Sequence, residues 1–165
     1  MQWSVHPPNP FLQIHLDQLL PAWVEPVQSI LIVLQQANQS LLRRTPATEK
    51  EKRRLRQQFI QFGDRLIAQL TSQAYQAELF DPRTGWPLFS QPGTLHLDDI
   101  AVVRTTLGYP ALPQGGCLII QHPTWGSAVY PSILVSSASP EVLEQIVLDF
   151  FAHHHSRSAA DSLTV

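Results

Sequence analysis

At 165 residues, 44% of them hydrophobic and 15% charged, the chain has the size of one domain and enough apolar side chains to bury a core without disulfides or a structural metal. Its formal net charge of −2 offers no electrostatic basis for binding nucleic acid or an anionic membrane surface. The opening residues Met1 to Pro8 lack the basic flank and apolar stretch of a signal peptide, and no run reaches the roughly 20 apolar residues that span a bilayer, so a soluble cytoplasmic protein is expected.

In chain order, Gln2 to His6 reads as a short strand ended by Pro7 and Pro8, and Asn9-Pro10 as an N-cap with a first-turn proline. The helix they open is expected to run to about Leu20, with Phe11, Ile14, Leu16, Leu19 and Leu20 on its buried face and Pro21 as its stop. Ser29-Ile30-Leu31-Ile32-Val33-Leu34 is a continuous apolar run of strand length, the pattern of a central strand covered on both faces. A long helix follows, with Thr48 as expected N-cap and Glu51 completing a capping box. Leu55, Phe59, Phe62, Leu66, Ile67 and Leu70 recur along it at helical spacing. Lys50, Lys52, Arg53, Arg54 and Arg56 read as its solvated face; a patch for an acidic partner is the rival reading, opposed by Glu49 and Glu51.

From Tyr75 the pattern alternates like a strand to Phe80, and Asp81-Pro82-Arg83-Thr84-Gly85 is a turn after which Trp86 to Phe89 is expected to return as a strand. Asp98 to Leu107 is ambiguous between a short helix and a strand. Cys117 to His122 and Ala128 to Ser136 predict an antiparallel hairpin about Pro123-Thr124-Trp125-Gly126. Ser139-Pro140-Glu141 opens the final helix. The fold class is α+β, with a mixed or antiparallel sheet packed by helices. One domain over residues 1–155 and a disordered tail over 156–165 are expected.

Cys117 is the chain's single cysteine, which limits it to one-ligand coordination, nucleophilic attack or intermolecular exchange; otherwise it is a small inert hydrophobe. Gly115 and Gly116 remove side-chain cover beside its sulfur. His122 follows five residues later, an odd separation that puts the two side chains on opposite faces of a strand and disfavours a Cys–His dyad. His153, His154 and His155 are consecutive at a helix end and make poor ligands as a set. Asp98 and Asp99 are adjacent and are not expected to converge, and no HExxH, GxSxG or glycine-rich phosphate loop is present.

The stretch Tyr75-Gln76-Ala77-Glu78-Leu79-Phe80-Asp81-Pro82-Arg83-Thr84-Gly85, the Leu107-Gly108-Tyr109 step, and Gly115-Gly116-Cys117-Leu118-Ile119-Ile120-Gln121-His122-Pro123-Thr124-Trp125-Gly126 together resemble the cobalamin-trafficking CblD family, the methylmalonic aciduria and homocystinuria type D proteins. The likeness is continuous from Tyr75 to about Ser139 and weaker before it, and the chain looks like a prokaryotic-type homologue without the N-terminal extension of eukaryotic members.

The resemblance implies a nitroreductase-like fold without flavin, acting as an adaptor rather than an enzyme. It implies a transiently bound cobalamin or related corrinoid, received from a CblC-like processing protein or another donor and passed to cobalamin-dependent enzymes. Cys117 matches the position of a thiolate that ligates cobalt, with Gly116, His122, Thr124, Trp125 and Gly126 shaping its surroundings. The chain departs from the animal members at Gly116, where they carry a second cysteine. Two other readings stand beside this one: a flavin- or thiol-dependent oxidoreductase, and a non-catalytic interaction scaffold in which Cys117 is dispensable.

Overall fold

The computed structural model describes residues 1–114 and 116–161, with side chains to Ala152. Its centre is the run of apolar residues beginning at Ser29: β2 (Ser29–Gln36) is buried along all but its last residue. β2 pairs antiparallel with β1 (Gln2–His6) on one side, Ser4 opposite Ile32. On the other it pairs with β6 (Val129–Ser136), Ile32 opposite Ile133. A short β3 (Ala77–Leu79) closes the sheet against β6, so the order is β1-β2-β6-β3 and every pairing is antiparallel.

Because successive strand residues point to opposite faces, β2 and β6 feed two cores. Ile30, Ile32, Ile133 and Val135 meet Leu12 and Leu19 of α1 (Pro10–Leu19) and Val102 and Val103 of α3 (Asp99–Leu107). On the other face Leu31, Val33 and Leu134 meet Phe59, Phe62, Leu66 and Leu70 of α2 (Pro46–Ser72) and Leu143, Ile146 and Val147 of α4 (Pro140–Asp161). The result is a single α+β domain in three layers, helices on both faces of the sheet. A separate two-stranded hairpin, β4 (Ala111–Gln114) with β5 (Cys117–Ile120), joins the first core through Ile120 and Ala111.

Several expectations are corrected. Asn9 caps α1 as expected, its Oδ1 accepting from Leu12 N at 2.9 Å, but Phe11 and Ile14 are 43% and 74% exposed. At 100° per residue Ile14 lies roughly 160° around the helix from Leu12, and the face defined by Leu12, Leu16, Leu19 and Leu20 is the one buried. α2 starts one turn earlier than its sequence suggests: Thr45 is the cap, exchanging hydrogen bonds with Thr48 in a reciprocal capping box, and Pro46 is the first-turn proline.

Trp86 to Phe89 forms no strand beyond an isolated bridge between Phe80 and Pro87. The buried Glu78 carboxylate instead accepts from the backbone N–H groups of Leu88, Phe89 and Ser90 and so replaces a partner strand. Asp98 to Leu107 resolves as helix, with the Asp98 carboxylate accepting from Ile100 N and Ala101 N, and Gly108 ending it in the left-handed conformation at φ 69°.

The expected pairing of Cys117–His122 with Ala128–Ser136 does not form. β5 pairs with β4 instead, while β6 is already occupied by β2 and β3. Two of the five cations assigned to a solvated face are also engaged: Arg56 makes a bidentate bond to Asp81 at 2.7 and 2.8 Å, and Arg54 a bidentate bond to Glu51. α4 continues past His155, where the domain boundary was expected, to Asp161; the side chains of His153, His154 and His155 and the whole of 162–165 lie outside the described residues.

Candidate functional site

The hairpin places Cys117 at its closing pair, opposite Gln114. Gly116 stands at φ 86°, a region costly for residues with a Cβ, yet a Cβ there would meet nothing within 4 Å. Glycine is therefore required by the turn itself and not by a close neighbour, and the space beside the thiol is open. Cys117 is a free, exposed thiol. Alternation puts it on one face with Ile119, Leu112 and Gln114, and puts Leu118, Pro113, Ile120 and Ala111 on the other. The base of the hairpin is buried in the core, but towards the tip Leu112 and Leu118 are 44% and 40% exposed, so the thiol rides on an apolar arm. Gly115 lies outside the described residues.

The other expected site residues gather at the opposite end of β5. His122 and Gly126 exchange backbone hydrogen bonds of 2.8 and 2.9 Å and close a tight loop. The His122 ring points inward and is buried: Nδ1 accepts from the backbone N–H of Thr124 and of Trp125, both at 3.1 Å. That leaves the ring proton on Nε2, which donates to Gln2 Oε1 at 2.7 Å. Trp125 stacks on the ring at 4.1 Å between centroids and Tyr109 meets it edge-on at 5.5 Å. Burial pushes the His122 imidazole below its ordinary value, in keeping with a neutral ring.

The six expected residues thus form two groups. Cys117 and Gly116 are at the tip, exposed; His122, Thr124, Trp125 and Gly126 form a structural loop at the base, on the order of 16 Å away along five extended residues. His122 and Cys117 are not brought together, as their odd spacing indicated. Sequence reasoning missed Gln2 and Tyr109, which complete the cage around His122. Gln2 lies 120 positions away and carries no signal, while Tyr109 follows the helix-ending glycine and was noted only as part of a motif.

Among the described residues no group of three or more His, Cys, Asp or Glu side chains could hold a metal by itself. A lone thiolate contributes one soft ligand, and it fits a metal whose remaining ligands arrive with the metal. No described helix is long and apolar enough to cross a membrane.

A sequence model of the family described as methylmalonic aciduria and homocystinuria type D protein matches residues 4–147. The human cobalamin trafficking protein CblD is 24% identical over 130 residues, covering 79% of this chain and 44% of that protein. The chain therefore spans less than half the length of this curated relative. A match that takes in both cores, the Asp81–Gly85 turn, the hairpin with Cys117 and the His122 loop leads to one conclusion: the chain belongs to the methylmalonic aciduria and homocystinuria type D protein family.

Proposed function

We propose that this protein is a cobalamin-trafficking adaptor that takes up or hands over the corrinoid through a bond between the Cys117 thiolate and cobalt, within a complex with a CblC-like processing protein or another donor. The observation that carries the reading is the exposed thiol on a projecting apolar hairpin, beside a glycine with open space around it. A corrin ring supplies four equatorial nitrogens to cobalt, so a single axial thiolate from the protein suffices. The exposed Leu112 and Leu118 are suited to meeting the apolar rim of such a ring or the mouth of a partner's pocket.

His122 serves this reading from a distance. With Nδ1 committed to its own loop and Nε2 to Gln2 of β1, it holds the base of the hairpin instead of binding metal or acting as a base for the thiol. In this reading the protein is a carrier and not a thiol-dependent catalyst, and His122, the histidine nearest to Cys117 in sequence, is committed elsewhere. The nitroreductase-like ancestry and the onward delivery to cobalamin-dependent enzymes belong to the same proposal, which family membership supports.

The test is the absorption and electron paramagnetic resonance spectrum of cob(II)alamin mixed with the protein, with and without a CblC-type partner, for wild type and Cys117→Ala. A thiolate-ligated cobalt signal that disappears in the variant is expected. No shift in any combination, or a shift that survives Cys117→Ala, overturns the ligand assignment.

A further inference from the structure

Residues 43–56 hold seven of the chain's eleven Lys and Arg residues but two of its thirteen Asp and Glu residues, a net of +5 in a chain whose total is −2. Arg56 and Arg54 are spent on Asp81 and Glu51. Glu49 reaches Lys52 at 3.6 Å and Arg44 at 3.9 Å, exposed contacts that neutralise little. Arg43, Lys50 and Arg53 are exposed and have no carboxylate within ion-pair distance among the described residues.

Stability does not ask for this arrangement. The aligned peptide dipoles of a helix make its N-terminus positive, so acidic residues are favoured there and basic ones at the other end. α2 meets the first preference, with Glu49 and no cation in its first turn, but not the second: its cations crowd the next two turns, over residues 50–56, and its last turn has no basic residue. Lys50 with Arg53 and Lys50 with Arg54 are also like-charged neighbours at helical spacing.

The surface is moreover shaped. Between the 37–42 segment and the start of α2 runs an open groove lined by Asn38, Gln39, Ala47, Lys50, Glu51 and Arg54. Its outer wall is fixed by Ala37 N donating to Ala128 O, Leu41 N to Ser127 O, and the Ser40–Ser127 hydroxyl pair at 2.6 Å. Asn38 N donates to Glu51 Oε1, and Arg54 takes up the rest of that carboxylate, so the groove presents cations and side-chain amides to an incoming ligand.

We propose that this groove and the basic surface around it dock an acidic segment of a partner protein, through carboxylates set against Arg43, Lys50 and Arg53. The surface carries two glutamates among its cations and is flanked by a net-negative remainder of the molecule. That pattern suits discrete carboxylates on a peptide better than a continuous phosphate backbone or a charged lipid plane. The inference goes beyond the cobalt-ligand reading and does not depend on Cys117.

The experiment is fluorescence anisotropy of the protein with a labelled peptide rich in Glu and Asp, alongside a basic peptide, a single-stranded oligonucleotide and phosphatidylserine vesicles. Binding of the acidic peptide that weakens as salt rises, and that falls about tenfold or more in Lys50→Glu/Arg53→Glu, is expected. The double variant should melt within about 2 °C of wild type, because both side chains are exposed and form no ion pair within the described residues; this separates lost binding from lost folding. Arg43→Glu/Arg44→Glu, outside the helix, provides an independent pair of reversals. Absence of acidic-peptide binding at low salt, indifference to both reversals, or tighter binding of the oligonucleotide or vesicles overturns the proposal.

Discussion

Asp99 is a buried carboxyl without a hydrogen-bond partner among the described residues, and Asp99→Asn is the substitution that exposes its cost. It stands in the first turn of α3 with 8% of its surface exposed, and neither carboxylate oxygen has a hydrogen-bond partner among the described residues. Burial, then the charges of Asp98 and Asp81, push its carboxyl well above the usual carboxylate range. The Tyr130 hydroxyl nearby is pushed up by burial with Asp99 and Asp81 adding to the effect, and the cation in the group is Arg56, already held by Asp81. The helix N-terminus favours an anion at this position by about 0.3–1 kcal/mol. Desolvating an ion costs several kcal/mol, more than the helix end returns, so burial favours the protonated form.

In the unfolded chain the same carboxyl ionises near pH ~4. The folded state therefore binds the extra proton above that pH, and stability falls as pH rises, by about 1.4 kcal/mol per unit until the folded value is passed. An amide in its place keeps the shape and the unpartnered polar atoms but has no proton to hold. Urea unfolding from about pH 4 to 8 should show Asp99→Asn and wild type equal at the acid end, and a gap in favour of the variant that widens as pH rises above ~4. A gap independent of pH, or a variant less stable than wild type at neutral pH, would refute the account.

Glu78→Gln should lose about 2–3 kcal/mol in the same assay, because an amide group then faces backbone N–H donors now 2.7–3.0 Å from the carboxylate of a fully buried residue. For His122, whose folded value is depressed by burial, stability is fully present above about pH 6.5 and is lost as pH falls towards the folded value. Trp125 fluorescence should report that opening of the loop, and His122→Phe should abolish the pH dependence while costing about 1–3 kcal/mol for two orphaned N–H groups. Gly63→Ala should destabilise by about 1–2 kcal/mol, since a Cβ would sit 2.5 Å from both Leu79 methyls and the packing strain exceeds the helix-propensity gain of about 1 kcal/mol. Cys117→Ala, by contrast, should leave urea stability within about 0.5 kcal/mol, as an exposed thiol contributes little to packing.

What could be read from the chain alone was whatever is encoded over a few neighbouring residues. β1, the α1 cap at Asn9, the doubly buried β2, the Asp81–Gly85 turn and the Ser139 start of α4 are each a run of apolar residues, a cap or a breaker acting on its own backbone, and each is found where expected. The family, too, was legible, because the stretches of this chain that resemble it are linear, and the family's sequence model matches residues 4–147. The α2 start was misplaced by one turn because Thr45 and Thr48 offer nearly the same cap, and Pro46, usable in a first turn, reads equally as a breaker.

Pairing was decided by tertiary structure. Whether β5 turns to β4 or runs on to β6 depends on which edge of β6 is free, and β2 and β3, from far earlier in the chain, had already taken both. The same competition separated the candidate site: it left Cys117 exposed on an arm and turned His122 inward to Gln2, a residue 120 positions away whose role no local pattern records. Periodicity says which residues are apolar enough to be buried; only the assembled layers determine which face finds a partner, and so which polar groups are left to act.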